Sequence, residues 1–407
     1  MKKTFVLITM LIGVLVAHGA EPVEIDGIYY RLDIENKTAK VSANPIKYKF
    51  NVVIPDKIVY NGDSFDINEI EFNAFENCTS LSSVTLPNSI ICIGESAFRN
   101  CNLETIVIPN SVTKIGVNAF RECRMLKSIK LPDNLKVLED LTFADSGLET
   151  VILPDGLTTI GESVFNKCYN LTSINVPNSV TSIGYGAFAY CYDAPVTIPT
   201  NLEYLGSGAY CSSGIVSIDI PNSITNVGPE TFINCVYATS ISISNSMSAL
   251  NFYVFCNCAF ESVVIPDNIK NIESGALLGC PYLKTISIGN GVKTIDNGAF
   301  GRCESLEKVY CYSKNVPQTH SNAFVETPIE NATLFVPEES LKEYTTTLPW
   351  SLFGKIDKIQ STDIYKIGIE ENSETIFSVD GILLGEKKKG INIIRKRNGK
   401  TKKVFLK

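Results

Sequence analysis

Histidine is almost absent from this 407-residue sequence, which contains only His18 and His320. His18 lies in a segment that we expect to be removed, so the working protein keeps a single imidazole. We therefore expect no Ser-His-Asp or Cys-His catalytic group and no histidine-based metal site. The sequence also lacks a glycine-rich phosphate-binding loop, so no cofactor is expected.

Positive charge is also in deficit. The chain has 36 Lys and Arg against 43 Asp and Glu, which gives a formal net charge of −7. A nucleic-acid-binding protein needs a basic surface to meet phosphates, so this class is excluded. Hydrophobic residues make up 44% of the chain and charged residues 19%. That balance is typical of a folded chain rather than a disordered one.

No apolar run is long enough for a comfortable membrane span. The longest, Phe5–Ala17, follows Lys2 and Lys3 and is followed by small residues up to Ala20. This order is typical of a secretory signal peptide over residues 1–20, cleaved near Ala20, with an uncleaved anchor as the alternative. The mature chain is expected to have no transmembrane span and to be secreted or on the outer surface of the cell.

A repeat of 22–23 residues fills the middle of the chain. Its most regular position is aromatic or aliphatic, and most copies have cysteine three residues later. That position is occupied by Phe75, Phe98, Phe120, Phe143, Phe165, Phe188, Tyr210, Phe232, Phe255, Leu277, Phe300 and Phe324. Such regular self-similarity is typical of solenoids, in which stacked units share one core.

The chemistry of one unit predicts its local structure. Alternating apolar and polar residues predict a strand that ends at Pro87, because proline cannot donate to a continuing ladder. Gly94 is expected at a turn that needs a positive φ, and equivalent glycines recur in other copies. A short helical turn or loop is expected to begin at Ala97-Phe98, on the side opposite the strand.

One copy reads Leu81-x-x-Val84-x-Leu86-Pro87-x-x-Ile90-x-x-Ile93-Gly94-x-x-Ala97-Phe98-x-x-Cys101. These residues resemble the BspA-like class of leucine-rich repeats, found on surface and secreted proteins of Bacteroidota, and the motif covers residues 71–310. The resemblance implies a β-rich leucine-rich-repeat solenoid with one parallel sheet face and short helical turns or loops opposite. It also implies a non-enzymatic interaction or adhesion module for host or bacterial surface proteins. Asp145-Ser146-Gly147 interrupts the cysteine segment of one copy.

The two ends of the repeat region are predicted to be caps, because a solenoid must cover its open core. Residues 21–70 break the period, and Ile25–Tyr30 and the Asn61-Gly62 turn predict short strands and hairpins. Residues 311–360 are expected to form the second cap.

The second cap is expected to contain one more strand and a helix. Ala332–Pro337 predicts the last strand, and Glu338–Leu348 predicts a helix. Trp350 and Phe353 are expected to pack against that helix. This segment is similar to the closing segment of BspA-like proteins.

Residues 361–407 are predicted to be a separate small basic β domain. From residue 385 on, the chain has ten Lys and Arg and one acidic residue. Strands are expected at Ile376–Gly381 and Gly390–Arg395, around the Lys387–Lys389 turn. The segment resembles the C-terminal sorting domains of the type IX secretion route, which implies export. The alternatives are a solvated tail without a sorting role and an electrostatic contact with acidic glycans or lipids.

The chain has thirteen cysteines, which allow two interpretations. Exported proteins form disulfides, but free cysteine is also a small buried hydrophobe. The odd number and the equal spacing favour a ladder of buried free thiols. Cys92 and Cys311 are expected in the core. Cys256-x-Cys258 has no second pair at zinc spacing, so no metal site is expected there.

The outward side of the predicted strands is the candidate binding surface. A column of hydroxyl residues, a common feature of strands, provides a flat hydrogen-bonding surface or a purely structural one. The hydroxyl column is Ser83, Thr105, Ser128, Thr150, Ser173, Ser217, Ser240, Ser262 and Thr285. The next outward column, here the candidate binding face, is Thr85, Val107, Lys130, Ile152, Asn175, Thr197, Asp219, Ser242, Val264, Ser287 and Tyr310.

Three functions compete on these observations. An exported protein-interaction or adhesion module agrees best with the signal peptide, the repeat and the lack of catalytic chemistry. A glycan-binding accessory protein of a polysaccharide-utilising system is the alternative, and it predicts exposed aromatic residues in the caps, near Tyr29-Tyr30 or Trp350. A hydrolase within the caps is the third; no recurring carboxylate pair of the kind glycosidases use supports it.

Overall fold

The computed structural model describes residues 21–359 and four strands of the tail, at 374–377, 383–384, 390–396 and 401–406. The predicted signal peptide and the Lys387–Lys389 turn lie outside the described residues. The chain divides into two compact units. The first runs to Val216 and includes Glu230–Cys235; the second comprises Ser217–Pro229 and the chain from Val236 on.

The first unit begins with a β cap, which confirms the predicted strands and hairpins. β1 pairs with β2, and β5 with β6, in antiparallel hairpins. Their turns, Asp26-Gly27 and Asn61-Gly62, have positive φ at both residues, as two-residue hairpin turns require. The cap strands are β1 (Val23–Ile25), β2 (Ile28–Asp33), β3 (Thr38–Val41), β4 (Phe50–Val53), β5 (Lys57–Tyr60) and β6 (Asp63–Ile70).

Most repeats of the first unit add one strand to each of two parallel ladders, which confirms the predicted solenoid. The cap joins them directly, because β4 pairs in parallel with β7 and β6 with β8. The first ladder consists of two sheets, β4-β7-β9 and β11-β13-β15, and its repeat strands are β7 (Leu81–Thr85), β9 (Thr105–Ile106), β11 (Ser128–Lys130), β13 (Thr150–Ile152) and β15 (Ser173–Ile174). The second ladder is β8 (Cys92–Ile93), β10 (Lys114–Ile115), β12 (Val137–Leu138), β14 (Thr159–Ile160), β16 (Ser182–Ile183) and β17 (Tyr204–Leu205).

The remaining side of each repeat is a loop that also pairs from rung to rung. The amides of Ser96 and Phe98 donate to carbonyls of the next repeat at 2.9 and 2.8 Å. The amides of Ala97 and Arg99, which alternate with them, bond within the loop. Positive φ at Ser96 and again at Asn100 allows this alternation, and both positions recur in later repeats. Loop amides are therefore paired without a helix.

A column of aromatic rings fills the interior of the first unit. Consecutive rings stack with centroids 5.0–5.7 Å apart and interplanar angles of 7–17°. Tyr48 of the cap meets the first ring, Phe75, at 4.7 Å. Because every ring touches the ring of the next rung, each repeat is held in the same register. The column is Phe75, Phe98, Phe120, Phe143, Phe165, Phe188, Tyr210 and Phe232.

The repeat glycine has a different role from the predicted one. The prediction of positive φ is wrong for Gly94, Gly116, Gly161, Gly184 and Gly206. A Cβ on Gly206 would lie 2.5 Å from the backbone nitrogen of Tyr185, in the preceding rung. Glycine is therefore favoured because two backbones approach closely. Positive φ occurs two residues later, as at Gly208.

The second unit has the same two kinds of parallel ladder. Its first ladder consists of two sheets, β18–β19 and β21-β23-β25-β27-β28, and its second is β20-β22-β24-β26. The strands are β18 (Ser217–Asp219), β19 (Ser240–Ser242), β20 (Ala249–Leu250), β21 (Ser262–Ile265), β22 (Asn271–Ile272), β23 (Thr285–Ile288), β24 (Thr294–Ile295), β25 (Lys308–Cys311), β26 (Gln318–Thr319), β27 (Thr333–Val336) and β28 (Lys355–Lys358).

The C-terminal cap differs from its prediction in two ways. The predicted strand is present as β27 but is not the last, because β28 pairs with it in parallel. The helix predicted over Glu338–Leu348 is only a 3-10 turn, Glu338–Ser340, followed by α1 (Leu341–Tyr344). Further 3-10 turns lie at Ile329–Asn331 and Trp350–Leu352.

Local chemistry explains why that helix is short. The hydroxyls of Thr345 and Thr347 donate to the carbonyls of Lys342 and Glu343, and such bonds compete with helical ones. Pro349 follows and lacks an amide hydrogen. The predicted packing of Trp350 is nevertheless confirmed, since its ring meets Tyr344 edge-on at 5.4 Å and stacks on Phe353 at 6.2 Å.

The described strands of the tail form one antiparallel sheet. They are β29 (Glu374–Phe377), β30 (Leu383–Leu384), β31 (Gly390–Lys396) and β32 (Thr401–Leu406), in the order β30-β29-β31-β32. Strands are therefore present in both segments where the sequence predicts them. A sorting role for this sheet stays a prediction.

The cysteine of the repeat is a small hydrogen-bond donor inside the loop. The Cys101 Sγ lies 2.9 Å from the carbonyl oxygen of Phe75, in the preceding repeat. Where the sequence lacks cysteine, Ser146, Ser213 or Thr327 takes its place. The Thr327 hydroxyl donates to the carbonyl of Phe300 at 2.7 Å. Cysteine is therefore used here as a small buried donor.

All thirteen cysteines lie within residues 21–359 and none of them forms a disulfide there, which confirms the predicted thiol ladder. Eleven are buried, including Cys311, and desolvation raises the pKa of Cys123 and of Cys168 to about 12. Cys92 is only half-buried. Its predicted core position is wrong, because it precedes the buried Ile93 in a strand and points to the opposite side.

The two kinds of glycine predict different costs of an added methyl group. Gly206→Ala forces a Cβ against the Tyr185 backbone and should lower the free energy of unfolding by about 3 kcal/mol. Gly208→Ala is the matched control, because its Cβ meets nothing closer than 4.0 Å and only the left-handed backbone penalises it, by about 1 kcal/mol. Urea unfolding followed by circular dichroism measures both. Equal losses of unfolding free energy in the two variants would contradict the explanation that Gly206 is needed for close approach of two backbones.

Thiol reactivity tests the ladder. At about pH 8, an aromatic disulfide reagent should modify at most Cys92 and Cys211, the two half-buried cysteines, in the native protein. The other eleven should react only after unfolding, because burial raises the pKa and keeps the reactive thiolate scarce. The double variant Cys92→Ser/Cys211→Ser should show no fast-reacting thiol. Three or more fast-reacting thiols in the unsubstituted protein would contradict the ladder.

Candidate functional site

The candidate binding face lies on the solvent side of the first ladder in each unit. Its residues alternate with buried ones along the strands, so they point outward. In the first unit all its members are exposed: Thr85, Val107, Lys130, Ile152, Asn175 and Thr197.

Three aliphatic side chains are unusually exposed on this face of the first unit. Val107 is 81% exposed, Ile152 54% and Val53 66%. Val53 was not predicted, because it belongs to the cap; the parallel pairing of β4 with β7 places it in register with Thr85. Lys130 is in register with Ile152. The face is therefore a rigid sheet surface on which apolar and polar side chains are mixed.

In the second unit the face is less uniform. Asp219 and Ser242 are exposed and in register, whereas Ser287 is only 2% exposed. Ser287 therefore cannot serve as a contact residue. It lies in register between Val264 and Tyr310, and these larger neighbours leave little room for solvent.

Tyr310 is also partly covered on this face. Its ring stacks on that of Phe335, with centroids 4.7 Å apart and an interplanar angle of 12°. Phe335 lies in the cap strand β27, in register with Tyr310. The pair makes an aromatic edge to the sheet that the sequence pattern did not predict, because it depends on the cap strand continuing the ladder.

Three members of the hydroxyl column, Ser83, Ser217 and Ser240, donate hydrogen bonds to neighbouring side chains. Ser240 donates to the Ser217 hydroxyl at 2.9 Å, and Ser217 donates to the Asp219 carboxylate at 2.9 Å. In the first unit, Ser83 donates to the Asn51 side chain at 2.8 Å. These bonds favour the structural interpretation of the column over its use as a free hydrogen-bonding surface.

The aromatic residues expected at the surface of the caps are mostly inside them. Tyr30 is 1% exposed and Trp350 is fully buried. Tyr29 is the exception, and its hydroxyl donates to Glu24 at 3.0 Å. The expected exposed cluster is therefore not formed by the cap aromatics Tyr30 and Trp350.

Exposed tyrosines occur instead on the repeats. Tyr169 and Tyr192 stack at 5.8 Å, and Tyr190 meets Tyr192 edge-on at 6.2 Å. Tyr237 and Tyr282 are more than half exposed in the second unit. Sequence reasoning missed them because it followed the strand positions; tyrosine within two residues of the repeat cysteine was the available signal.

The described residues offer little catalytic or metal-binding chemistry. No group of three or more His, Cys, Asp or Glu among them is placed to hold a metal ion. Cys256 and Cys258 are both buried. His320 is exposed, and its Nδ1 accepts the amide of Asn322 at 3.1 Å. No helix in the described part of the chain is both long and apolar enough to cross a membrane.

Similar solved structures share the repeat fold. A leucine-rich repeat protein from Bacteroides ovatus is 26% identical, over 83% of this chain and 100% of that one, with a TM-score of 0.54. The pneumococcal vaccine antigen PcpA is 18% identical, over 84% of this chain and 99% of that one, with a TM-score of 0.50. Among curated proteins, none matches this chain.

The family model for the BspA type leucine-rich repeat region matches the chain in six copies. The matched residues are 62–172, 158–284 and 226–347, which together are well over half of the sequence. They include the cysteine loops, the aromatic column and the first ladder described above. The chain therefore belongs to the BspA-type leucine-rich repeat family.

Proposed function

We propose that this chain is an exported, non-enzymatic module that binds proteins through the candidate binding face of its first unit. The observation that carries the proposal is the exposure of Val53, Val107 and Ile152 along the first ladder. Exposed aliphatic side chains interspersed with polar ones on a rigid scaffold suit a protein interface, in which apolar contacts lie among polar ones. BspA-type leucine-rich repeat proteins are typically surface or secreted, and the family suggests protein interaction or adhesion.

The partners we propose are proteins of the host or of other bacterial surfaces. A flat sheet with Lys130 and Asn175 beside aliphatic side chains suits a folded protein surface, in which apolar contacts are surrounded by polar ones. Export would use the signal peptide at residues 1–20 and a sorting signal in residues 361–407. The antiparallel sheet formed by the strands of this tail supports a small β sorting domain.

The binding face is tested by charge substitution. Val107→Glu/Ile152→Glu should weaken binding to a panel of immobilised matrix proteins and to whole bacterial cells by about tenfold or more, because buried contacts would carry unpaired charges. The unfolding transition of the double variant should stay unchanged, because Val107 and Ile152 are both exposed. Val59→Glu is the control, since Val59 is 66% exposed and lies on β5 of the cap. Equal binding by both variants would contradict this site.

Export is tested in the producing cell by surface proteolysis and fractionation. The full chain should be accessible outside the cell, and a chain without residues 361–407 should remain in the periplasm. Replacing Lys387–Lys389 by alanine separates sorting from charge, because electrostatic attachment would be lost while sorting would continue. If the full and shortened chains are both periplasmic, the proposed contact with host proteins is wrong.

A further inference from the structure

One loop of the second unit is a residue shorter than the loops on either side. In the repeats of Tyr237 and Tyr282, two residues separate the cysteine from the next buried apolar residue. In the repeat between them, only Ala259 stands between Cys258 and Phe260. A methyl group therefore occupies the position at which both neighbouring repeats carry a phenol ring.

Because Ala259 has no ring, an open cleft of about 570 Å³ lies between the neighbouring repeats. Ala259 is its floor, with 8% exposure, and its amide donates to the Ala238 carbonyl at 3.1 Å. The two tyrosines are 53% and 59% exposed. They stand two rungs apart, which places their backbones about 10 Å from each other and leaves space for one ring. The cleft is lined by Val236, Tyr237, Thr239, Ala259, Glu261 and Tyr282.

A second pair of tyrosines shows why the short loop matters. Tyr169 and Tyr192 follow the cysteines of consecutive repeats in the first unit, and their rings stack at 5.8 Å with an interplanar angle of 11°. Neighbouring rungs thus bring such rings into direct contact and leave no gap. The wider spacing of Tyr237 and Tyr282 creates a space that neither ring fills.

The polar groups of the cleft indicate what fits this space. The Glu261 side chain is 72% exposed, and its Oε2 forms an ion pair with the Lys284 Nζ at 3.4 Å. Thr239 adds a hydroxyl. A pyranose ring has apolar C–H faces that pack on aromatic rings, and hydroxyls on its edge that donate to a carboxylate. The cleft volume is within the range of small-ligand sites.

We propose that this cleft binds a neutral oligosaccharide, with one pyranose ring between Tyr237 and Tyr282. The Glu261 carboxylate accepts hydrogen bonds from the sugar hydroxyls and disfavours uronic acids by charge repulsion. The site lies at the start of β19, β21 and β23, entirely within the second unit. It does not depend on the proposed protein-binding face of the first unit, so either can fail alone.

The test is calorimetric titration of the full chain with cellotriose, maltotriose and triacetylchitotriose. At least one trisaccharide should bind. Tyr237→Ala and Tyr282→Ala should each weaken that binding by about tenfold or more, whereas Tyr237→Phe keeps the ring and most of the affinity. Tyr204→Ala is the matched control, because Tyr204 is 57% exposed in the first unit.

Two further variants define the outcome. Ala259→Phe fills the cleft and should abolish binding, and Glu261→Gln should weaken it and reduce the discrimination against uronic acids. Thermal unfolding of each variant confirms that it is folded. The proposal is overturned if none of the trisaccharides binds at about 5 mM, or if the tyrosine variants bind as tightly as Tyr204→Ala. The same titration is made with an aromatic-rich peptide. If no sugar binds, and the peptide binds the unsubstituted chain but not Ala259→Phe, the proposal is overturned and the cleft is assigned to peptides.

Discussion

Backbone hydrogen bonding between successive repeats is the constraint on which the rest of this structure depends. Both ladders pair in parallel, and the loop on the third side pairs as well, through alternate amides such as those of Ser96 and Phe98. A rung can therefore be neither much longer nor much shorter than its neighbours without leaving polar backbone groups unpaired. This explains why the period stays at 22–23 residues although most side chains change.

The positions that recur from repeat to repeat follow from that constraint. Gly206 is glycine because the preceding backbone lies too close for a Cβ, and Phe98 is aromatic because a ring must meet the ring of the next rung. Cys101 supplies a small donor to a carbonyl that the loop leaves available. Thr327 replaces cysteine in one repeat and donates the equivalent bond to the Phe300 carbonyl, so at that position the hydrogen bond does not need sulfur.

Outward positions escape the constraint, and function is expected there. Val107 and Ile152 stand exposed because the sheet beneath them is held by pairing that does not involve their side chains. The same freedom allows the loop at Ala259 to lose a residue while its neighbours keep theirs. The proposed protein-binding face of the first unit and the proposed sugar-binding cleft of the second each use outward side chains on a scaffold fixed by its backbone.

The sequence by itself determined the repeat, the first ladder and the hairpin at Asn61-Gly62, because each depends on local spacing or on a single turn. Only the tertiary structure decided what depends on contacts between rungs. The reason for Gly206 lies in Tyr185 of another rung, the burial of Ser287 depends on its flanking strands, and the cleft depends on two tyrosines in separate repeats. These contacts join residues that are distant along the chain, and one repeat's sequence does not contain them.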